Sequence, residues 1–403
     1  MTNKTDIIII GGGMAGMTTA IGMAMSGFDV SVVDHTPRGN MSAGEFDGRS
    51  SALSYAPCQL FKALDIWKYL EDVAQPILEI RITDGPSPLH LHFDNESLGD
   101  GPLGNMVENR HTRLALFKRM DELDNITYLA PEKVISFNKE PSHVTVTLDS
   151  GTVIEGKLLL GIDGRNSQVR KWAGFHLHGW GYGQTGIVCT IEHEHSHCGI
   201  AHERFLPSGP FAILPLTGNR SSIVWSEKDH LVDTIMGLSD RAFESELQRR
   251  VGDFLGKVSV VGGRWAYPLT LQYCDEFVSD RVTLVGDACH GMHPIAGQGL
   301  NLGLRDVAAI VEVVTDAARA GLDIGSLSVL EQYQQWRRVD NAALLSVTDV
   351  LTKLFSNDIA PIRHARDLGI AVVDQVEPLK NVFMQHARGT VGELPKLLQG
   401  ERP

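Results

Sequence analysis

An α/β fold is predicted, with a dinucleotide-type βαβ unit first, an antiparallel sheet in the middle and helices at the end. Three observations predict it. Four consecutive isoleucines, Ile7–Ile10, run directly into Gly11-Gly-Gly-Met-Ala-Gly16. Short segments of alternating apolar and polar residues follow through the middle of the chain. Apolar residues at helical spacing fill the C-terminal part. A strand–turn–helix start with alternating strands and late helices is the pattern of layered α/β domains.

The isoleucine run reads as a buried parallel strand. Met17–Met25 reads as a helix ending near Ser26-Gly27, and Asp29–Val33 as a second strand closed by Asp34. Gly11 would allow the tight turn, Gly13 would let a pyrophosphate approach the backbone, and Gly16 would let helix pack on strand. Met14 and Ala15 complete the loop, and the helix start favours phosphate charge. Asp34 would accept hydrogen bonds from ribose hydroxyls. Only one such fingerprint occurs, so the chain holds a single dinucleotide or meets a second one transiently.

Composition narrows the class. With 403 residues, 43% of them hydrophobic and 21% charged, the chain can build a large core, and two domains are expected. A net charge of −13 argues against general nucleic-acid binding. Five cysteines, none in a CxxC pair, suit a reducing cytoplasm. No apolar run approaches the roughly 20 residues that span a bilayer. The segment Met1–Asp6 enters a strand without a signal-peptide layout.

Val134–Asn138, His143–Leu148 and Thr152–Leu160 read as an antiparallel meander turning at Asp149-Ser-Gly151. The last strand runs into Asp163-Gly164, a pair common in turns. Phe211–Leu216, Ser222–Ser226 and Gly262–Pro268 read as strands of a substrate-side sheet. Glu192-His-Glu-His-Ser-His-Cys198 would put His193, His195 and His197 on one face of a strand. Metal sites usually gather ligands from more than one element, so this run is read as a hairpin or solvated edge, with no metal. Asp306–Ala318, Leu330–Val339 and Ala342–Phe355 carry helical stripes, and Val372–Leu398 is an amphipathic segment expected to dock on the core, the alternative being contact with a partner or a membrane surface.

The most informative stretch is Gly286–Asp306. It ends a short strand, Val282–Val285, with an acid at Asp287; a proline-glycine loop and a helix start follow. That arrangement offers a carboxylate to sugar hydroxyls and backbone N–H groups to developing negative charge. With the N-terminal fingerprint, it points to a flavoenzyme.

Three motifs, Gly11-x-Gly13-x-x-Gly16, Asp163-Gly164 with Ser167 and Arg170, and Gly286-Asp287-Ala288 with His290 and Pro294, resemble the flavin monooxygenases of the para-hydroxybenzoate hydroxylase class. Within it, His293–Asp306 is similar to the signature of the ubiquinone-biosynthesis FAD-dependent hydroxylase family. Thr348-Asp349, Leu354-Phe355-Ser356, Pro378-Leu-Lys380, Phe383-Met384, Gly389, Trp180-x-Tyr182-x-Gln184 and Val107-Glu-Asn109 look like further landmarks. The resemblance covers nearly the whole chain.

It implies a Rossmann-like FAD-binding domain (1–75, 105–175 and 275–330), an antiparallel-sheet substrate domain (76–104 and 176–274) and a helical C-terminal region (331–403). It implies FAD contacts at Gly11, Gly13, Met14, Ala15, Gly16, Asp34, Val134 and Asp163. Arg49, in Asp47-Gly-Arg49, and Arg113 would approach the pyrophosphate and ribityl chain, the Arg113 position often being Gln in relatives. Gly286 and Asp287 would serve the ribityl side. Pro294, Gly297, Gly299, Leu300 and Asn301 would line the isoalloxazine, with N–H groups near Gly299, Leu300 and Asn301 aimed at its N1–C2 edge.

The implied activity is hydroxylation of a polyprenylated phenol in ubiquinone biosynthesis through a C4a-hydroperoxyflavin. O₂ is the oxidant, and NAD(P)H or another donor supplies electrons. Contacts with the inner-membrane surface and a biosynthetic complex follow from such a lipophilic substrate. His293 and His290 are candidates for a proton role by proximity alone, and neither is assigned as catalytic. The rival readings are a flavin oxidase or reductase on the same fold and a non-catalytic flavin-bound scaffold.

Overall fold

The computed structural model describes residues 2–42, 46, 48–85, 90–95, 101–356, 361, 366, 369 and 373–403. Ile7–Ile10 is buried on both faces because it lies inside a six-stranded sheet. The order across that sheet is Val278–Ser279, Val282–Leu284, Leu158–Gly161, Ile7–Ile10, Val30–Val33 and Ile126–Leu129. All pairs are parallel except that between the first two. Their side chains share one large core with the helices Met14–Met25 and Gln298–Arg319.

The first helix starts at Met14, three residues before the expected Met17. Glycine's poor helix propensity hid that first turn in the sequence. The expected strand Thr152–Leu160 is two strands in two sheets. Val153–Gly156 pairs antiparallel with Val144–Leu148, whereas Leu158–Gly161 pairs parallel with Ile7–Ile10. The chain crosses at Gly156-Lys157, where a Cβ on Gly156 would lie 2.8 Å from Ile8 Cγ1 and Lys157 N–H bonds Asp6 O at 2.8 Å.

An eight-stranded sheet stands beside this layer. Its order is His290–Gly291, Val258–Cys274, Leu177–His193, Arg220–Lys228, Gly209–Leu216, Ile200–Leu206, Glu79–Asp84 and His90–Asp94. The expected Gly262–Pro268 is the middle of the 17-residue strand Val258–Cys274. Two helices in this region, Asp229–Met236 and Asp240–Val251, were not expected. They bury Val232, Phe243, Leu247 and Val251 against Ile187, Phe211, Ile223 and Trp225 of the sheet. The opposite face meets Phe355 and Met384 from the C-terminal helices.

Leu330–Val339 and Ala342–Phe355 are one helix, Leu327–Phe355. The polar pair Asp340-Asn341 reads as a break in the stripe, but both face the buried Arg337, which holds the helix continuous. Within the amphipathic C-terminal segment, Val372 lies outside the described residues; Glu377–Arg388 is helical and Lys396–Gln399 forms a 3₁₀ turn.

Candidate dinucleotide site

Gly11 takes a φ of +110°, and a Cβ there would sit 2.3 Å from Ile162 O. Gly16 is equally constrained, since its Cβ would meet Gly11 O at 1.9 Å. These two glycines weld turn, helix and strand together. Gly13 is different: nothing lies within 4 Å of its added Cβ. Gly13 caps the helix with no side-chain hydrogen bond, so the N–H groups of Met14 and Ala15 open the helix without a capping partner. A bare helix start with open space before it fits a pyrophosphate.

Asp34 is buried at the end of Val30–Val33. Its Oδ2 accepts from Gly12 N–H at 2.6 Å and its Oδ1 from Thr36 N–H at 2.7 Å. Both oxygens keep lone pairs for ribose hydroxyls. Tyr128 closes the near side, because a Cβ on Gly12 would be 2.4 Å from its hydroxyl. Burial, followed by the charge of Asp34, pushes the Tyr128 phenol upward and keeps it neutral. Val134 lies in the segment after Leu129, whose carbonyl accepts Asp34 N–H at 3.0 Å, while Glu132 N–H bonds Asp34 O at 2.9 Å. Arg113 donates through Nε to Met41 O at 2.9 Å, and Arg49 is exposed just before Ser50–Ser54. Asp47 lies outside the described residues.

Asp163 stands beside the turn, its backbone N 2.9 Å from the Cβ position of Gly11. Its carboxylate faces its own chain. Oδ2 accepts from Gln168 N–H at 2.7 Å and Val169 N–H at 3.2 Å, and Oδ1 from Ser167 Oγ at 2.5 Å. Arg170 then donates to Ala288 O at 2.8 Å and Arg165 O at 2.8 Å. The Asp163-Gly164 motif therefore builds a short helix whose arginine pins the Gly286–Ala288 turn. Asp287 on that turn is half-exposed, 3.5 Å from Arg165 Nε.

Behind the turn is a buried charge network that the sequence did not announce. Asp306 accepts from His290 Nε2 at 2.5 Å, from Gly286 N–H at 3.1 Å and from Arg337 Nε at 2.7 Å. Arg337 reaches on to Asp340 at 2.5 Å and Asn341 at 2.8 Å. Burial disfavours the charged form of each group, but His290 and Arg337 together hold the Asp306 carboxyl well below the usual range. Burial is likewise overridden at His290, where Asp306 holds the imidazole above its ordinary value. A paired His290 is a holding group.

Gly297 has φ +63° and caps the helix Gln298–Arg319. A Cβ on it would come 3.1 Å from Ala52 Cβ. Asn301 is buried with its side chain fully used. Its Oδ1 accepts from Ser54 N–H at 3.0 Å, and its Nδ2 donates to Ala52 O at 2.8 Å and Gly297 O at 3.1 Å. Asn301 thus locks the helix start to Ser50–Ser54, and its own N–H falls within the regular helical ladder. Among the first N–H groups of a helix beginning at Gln298, those of Gly299 and Leu300 precede the intrahelical ladder. Pro294 leads into this turn, and Ile295 plunges into an apolar cluster with Ala201, Phe205, Met106 and Phe355.

His293 is fully buried, and neither ring nitrogen has a hydrogen-bond partner. Burial pulls its pKa down to about 4, so it is neutral. It meets Tyr182 edge-on at 5.3 Å. His193 and His197 are not a solvated edge. His193 bonds His195 O at 2.7 Å and Ser221 Oγ at 3.0 Å, and His197 bonds Leu216 O at 2.7 Å. Their nitrogens tie a hairpin end together. Among the described residues no three His, Cys, Asp or Glu side chains gather to hold a metal.

Residues 4–346 match the family described as FAD binding domain. The chain is 48% identical over 399 residues to ubiquinone hydroxylase UbiL of Rhodospirillum rubrum, covering 98% of this chain and 92% of that protein. It is 34% identical over 392 residues to 3-demethoxyubiquinol 3-hydroxylase of Escherichia coli, covering 96% of this chain and 100% of that protein. Among solved structures, p-nitrophenol 4-monooxygenase PnpA of Pseudomonas putida superposes with a TM-score of 0.80 at 18% identity, covering 98% of this chain and all of that one, a likeness of fold.

Proposed function

The chain belongs to the FAD-binding-domain family and, within it, to the ubiquinone-biosynthesis hydroxylases, and on that premise we propose that it hydroxylates the ring of a polyprenylated phenol with O₂. When bound, FAD supplies the two-electron chemistry that activates O₂. Gly13, Met14 and Ala15 would hold its pyrophosphate, Asp34 its adenosine ribose, and Asp287 its ribityl side. Arg49, Arg113 and Val134 would flank it. The N–H groups of Gly299 and Leu300 would favour negative charge on its ring system. NAD(P)H is the proposed donor, meeting the enzyme transiently, because the chain carries one dinucleotide fingerprint.

One observation carries the substrate side of this reading. Ile295, inside the loop that would cover the ring system, is buried in one apolar cluster with Ala201 and Phe205 of the eight-stranded sheet. A lipophilic ring held there would be kept dry and oriented. The division into a discontinuous FAD domain, a sheet domain over 76–104 and 176–274, and a helical region over 331–403 is supported by this segregation of strands.

A polyprenyl tail resides in a bilayer, so a peripheral membrane contact is part of the proposal, with association with neighbouring enzymes of the route. No described helix is long and apolar enough to cross a membrane. Val347, Val350 and Leu354, spaced along one helix, and Val382 and Phe383 on another are exposed and would make that contact. The test is to supply a short-chain prenylphenol with NADPH and measure product mass. A product heavier by one oxygen is expected. NADPH oxidation yielding only peroxide with every phenol tried would sink the reading.

A further inference from the structure

Glu203 lies in the middle of the strand Ile200–Leu206. Side chains two apart on a strand share a face. Glu203 therefore points the same way as Ala201 and Phe205, both members of the apolar cluster that contains Ile295. Across the sheet its partners are Ala212 on one side and Ile82 on the other. The residue is only 9% exposed, and among the described residues neither a hydrogen bond nor an ion pair satisfies its carboxyl.

Such a group is expensive to bury. Unpaired carboxyls in apolar surroundings are rare and resist ionisation. Burial alone pushes the Glu203 carboxyl up to about 8. The charged groups on the surrounding elements have partners of their own. Asp84, further along the same face of Glu79–Asp84, pairs with Arg366 at 2.8 Å. Glu108 pairs with Arg110 at 2.7 Å and Arg220 at 2.9 Å. Lys380 pairs with Asp374 at 3.4 Å. His202 and Arg204 alternate with Glu203 and face the other side of the strand, against Phe254.

We propose that Glu203 is the base that takes the phenolic proton from the substrate, a role that rests on the hydroxylase reading above. The phenol O–H bond breaks and its electron pair stays on oxygen as phenolate. The proton passes to the Glu203 carboxylate, which becomes a neutral acid until product leaves. No electron changes owner in this step. The phenolate ring is the richer nucleophile, so oxygen transfer follows from it more easily. A carboxyl whose pKa lies near the working pH suits a general base. The surrounding apolar face accounts for both the raised pKa and the exclusion of water.

The experiment compares the FAD-loaded wild type with Glu203→Gln and Glu203→Asp, using a water-soluble 2-prenylphenol. In wild type, kcat/KM rises about tenfold per pH unit below about 8 and then levels. Glu203→Gln loses that limb and about 10²–10⁴ of kcat/KM, the range a positioned base contributes. Glu203→Asp keeps the limb. Binding the phenol anaerobically to the oxidised enzyme at high pH brings up a phenolate absorption band in wild type and not in Glu203→Gln. Flavin content equal to wild type and a single cooperative melting transition show that Glu203→Gln is folded. Hydroxylated product from wild type, with an unchanged pH limb and phenolate band in Glu203→Gln, overturns the role of Glu203 alone. No hydroxylated product from wild type overturns the hydroxylase reading, and the role of Glu203 with it.

Discussion

Two sides of the loop Gly286–Gly297 treat buried polar groups in opposite ways. Behind it, His290, Asp306, Arg337, Asp340 and Asn341 satisfy one another in a closed chain. In front of it, neither the His293 ring nitrogens nor the Glu203 carboxyl takes a hydrogen bond or ion pair among the described residues. The saturated side spends its charges on holding the turn, the helix Gln298–Arg319 and the helix Leu327–Phe355 in one register. The unsaturated side leaves polar groups facing apolar surroundings, which is where a substrate or a water would find them. Fixed groups position; unpaired groups are the ones with chemistry left to do.

The largest effect should come from breaking the saturated side. Asp306→Ala leaves the His290 and Arg337 charges buried without their shared partner. Loss of one member of a buried pair typically costs about 3–5 kcal/mol. We expect a shift of that size in urea unfolding, accompanied by loss of bound flavin. An unchanged midpoint would show that the network does not hold the loop.

The cradle offers a second contrast, between two glycines only two residues apart in sequence. Gly11→Ala forces a Cβ against Ile162 O at a φ of +110° and should compromise folding itself. Gly13→Ala meets nothing in the protein and should fold normally. Its methyl group would occupy the space proposed for the pyrophosphate, so flavin affinity should fall at least tenfold. Equal affinity in Gly13→Ala and wild type, by flavin fluorescence, would move the pyrophosphate elsewhere.

A smaller effect concerns pH and has a defined sign. Both His290 and Glu203 have folded-state values above their unfolded ones. Each therefore contributes stability that is fully present below its unfolded pKa and is lost as pH rises through the folded value. For Glu203 the window runs from about 4.5 to about 8. Glu203→Gln should melt at a temperature less dependent on pH across that window. A parallel pair of melting curves at every pH would mean that the carboxyl finds a partner. The smallest effect is expected at His293. Its nitrogens make no bonds, so His293→Leu should change stability by about 1 kcal/mol or less.

The strand–turn–helix frame of the proposed cradle was legible in the sequence because its constraints are local. Ile7–Ile10, the glycine spacing and Asp34 lie within one βαβ unit, and their backbone demands show directly as residue types. The roles of Asp163 and Asn301 were less legible. Both were expected beside the cofactor, and both sit next to the loops proposed to hold it, but their side chains are committed to groups of the protein. Nothing in a motif distinguishes a carboxylate facing a ligand from one capping its own helix. Asp306 and Arg337 meet across two helices, so no sequence window contains both. The only hint was an acid on an otherwise apolar helical stripe. Glu203 had a similar hint, an acid between Ala201 and Phe205 at period-two spacing, but the strand that gives that spacing meaning was not itself foreseen.

The central claim is that this chain puts oxygen from O₂ onto a phenol ring. Its most direct test is mass spectrometry of the product formed from a prenylphenol and NADPH under ¹⁸O₂. One ¹⁸O atom in the ring product is expected. A product short of two hydrogens with no added oxygen, or unchanged phenol alongside peroxide, would contradict it.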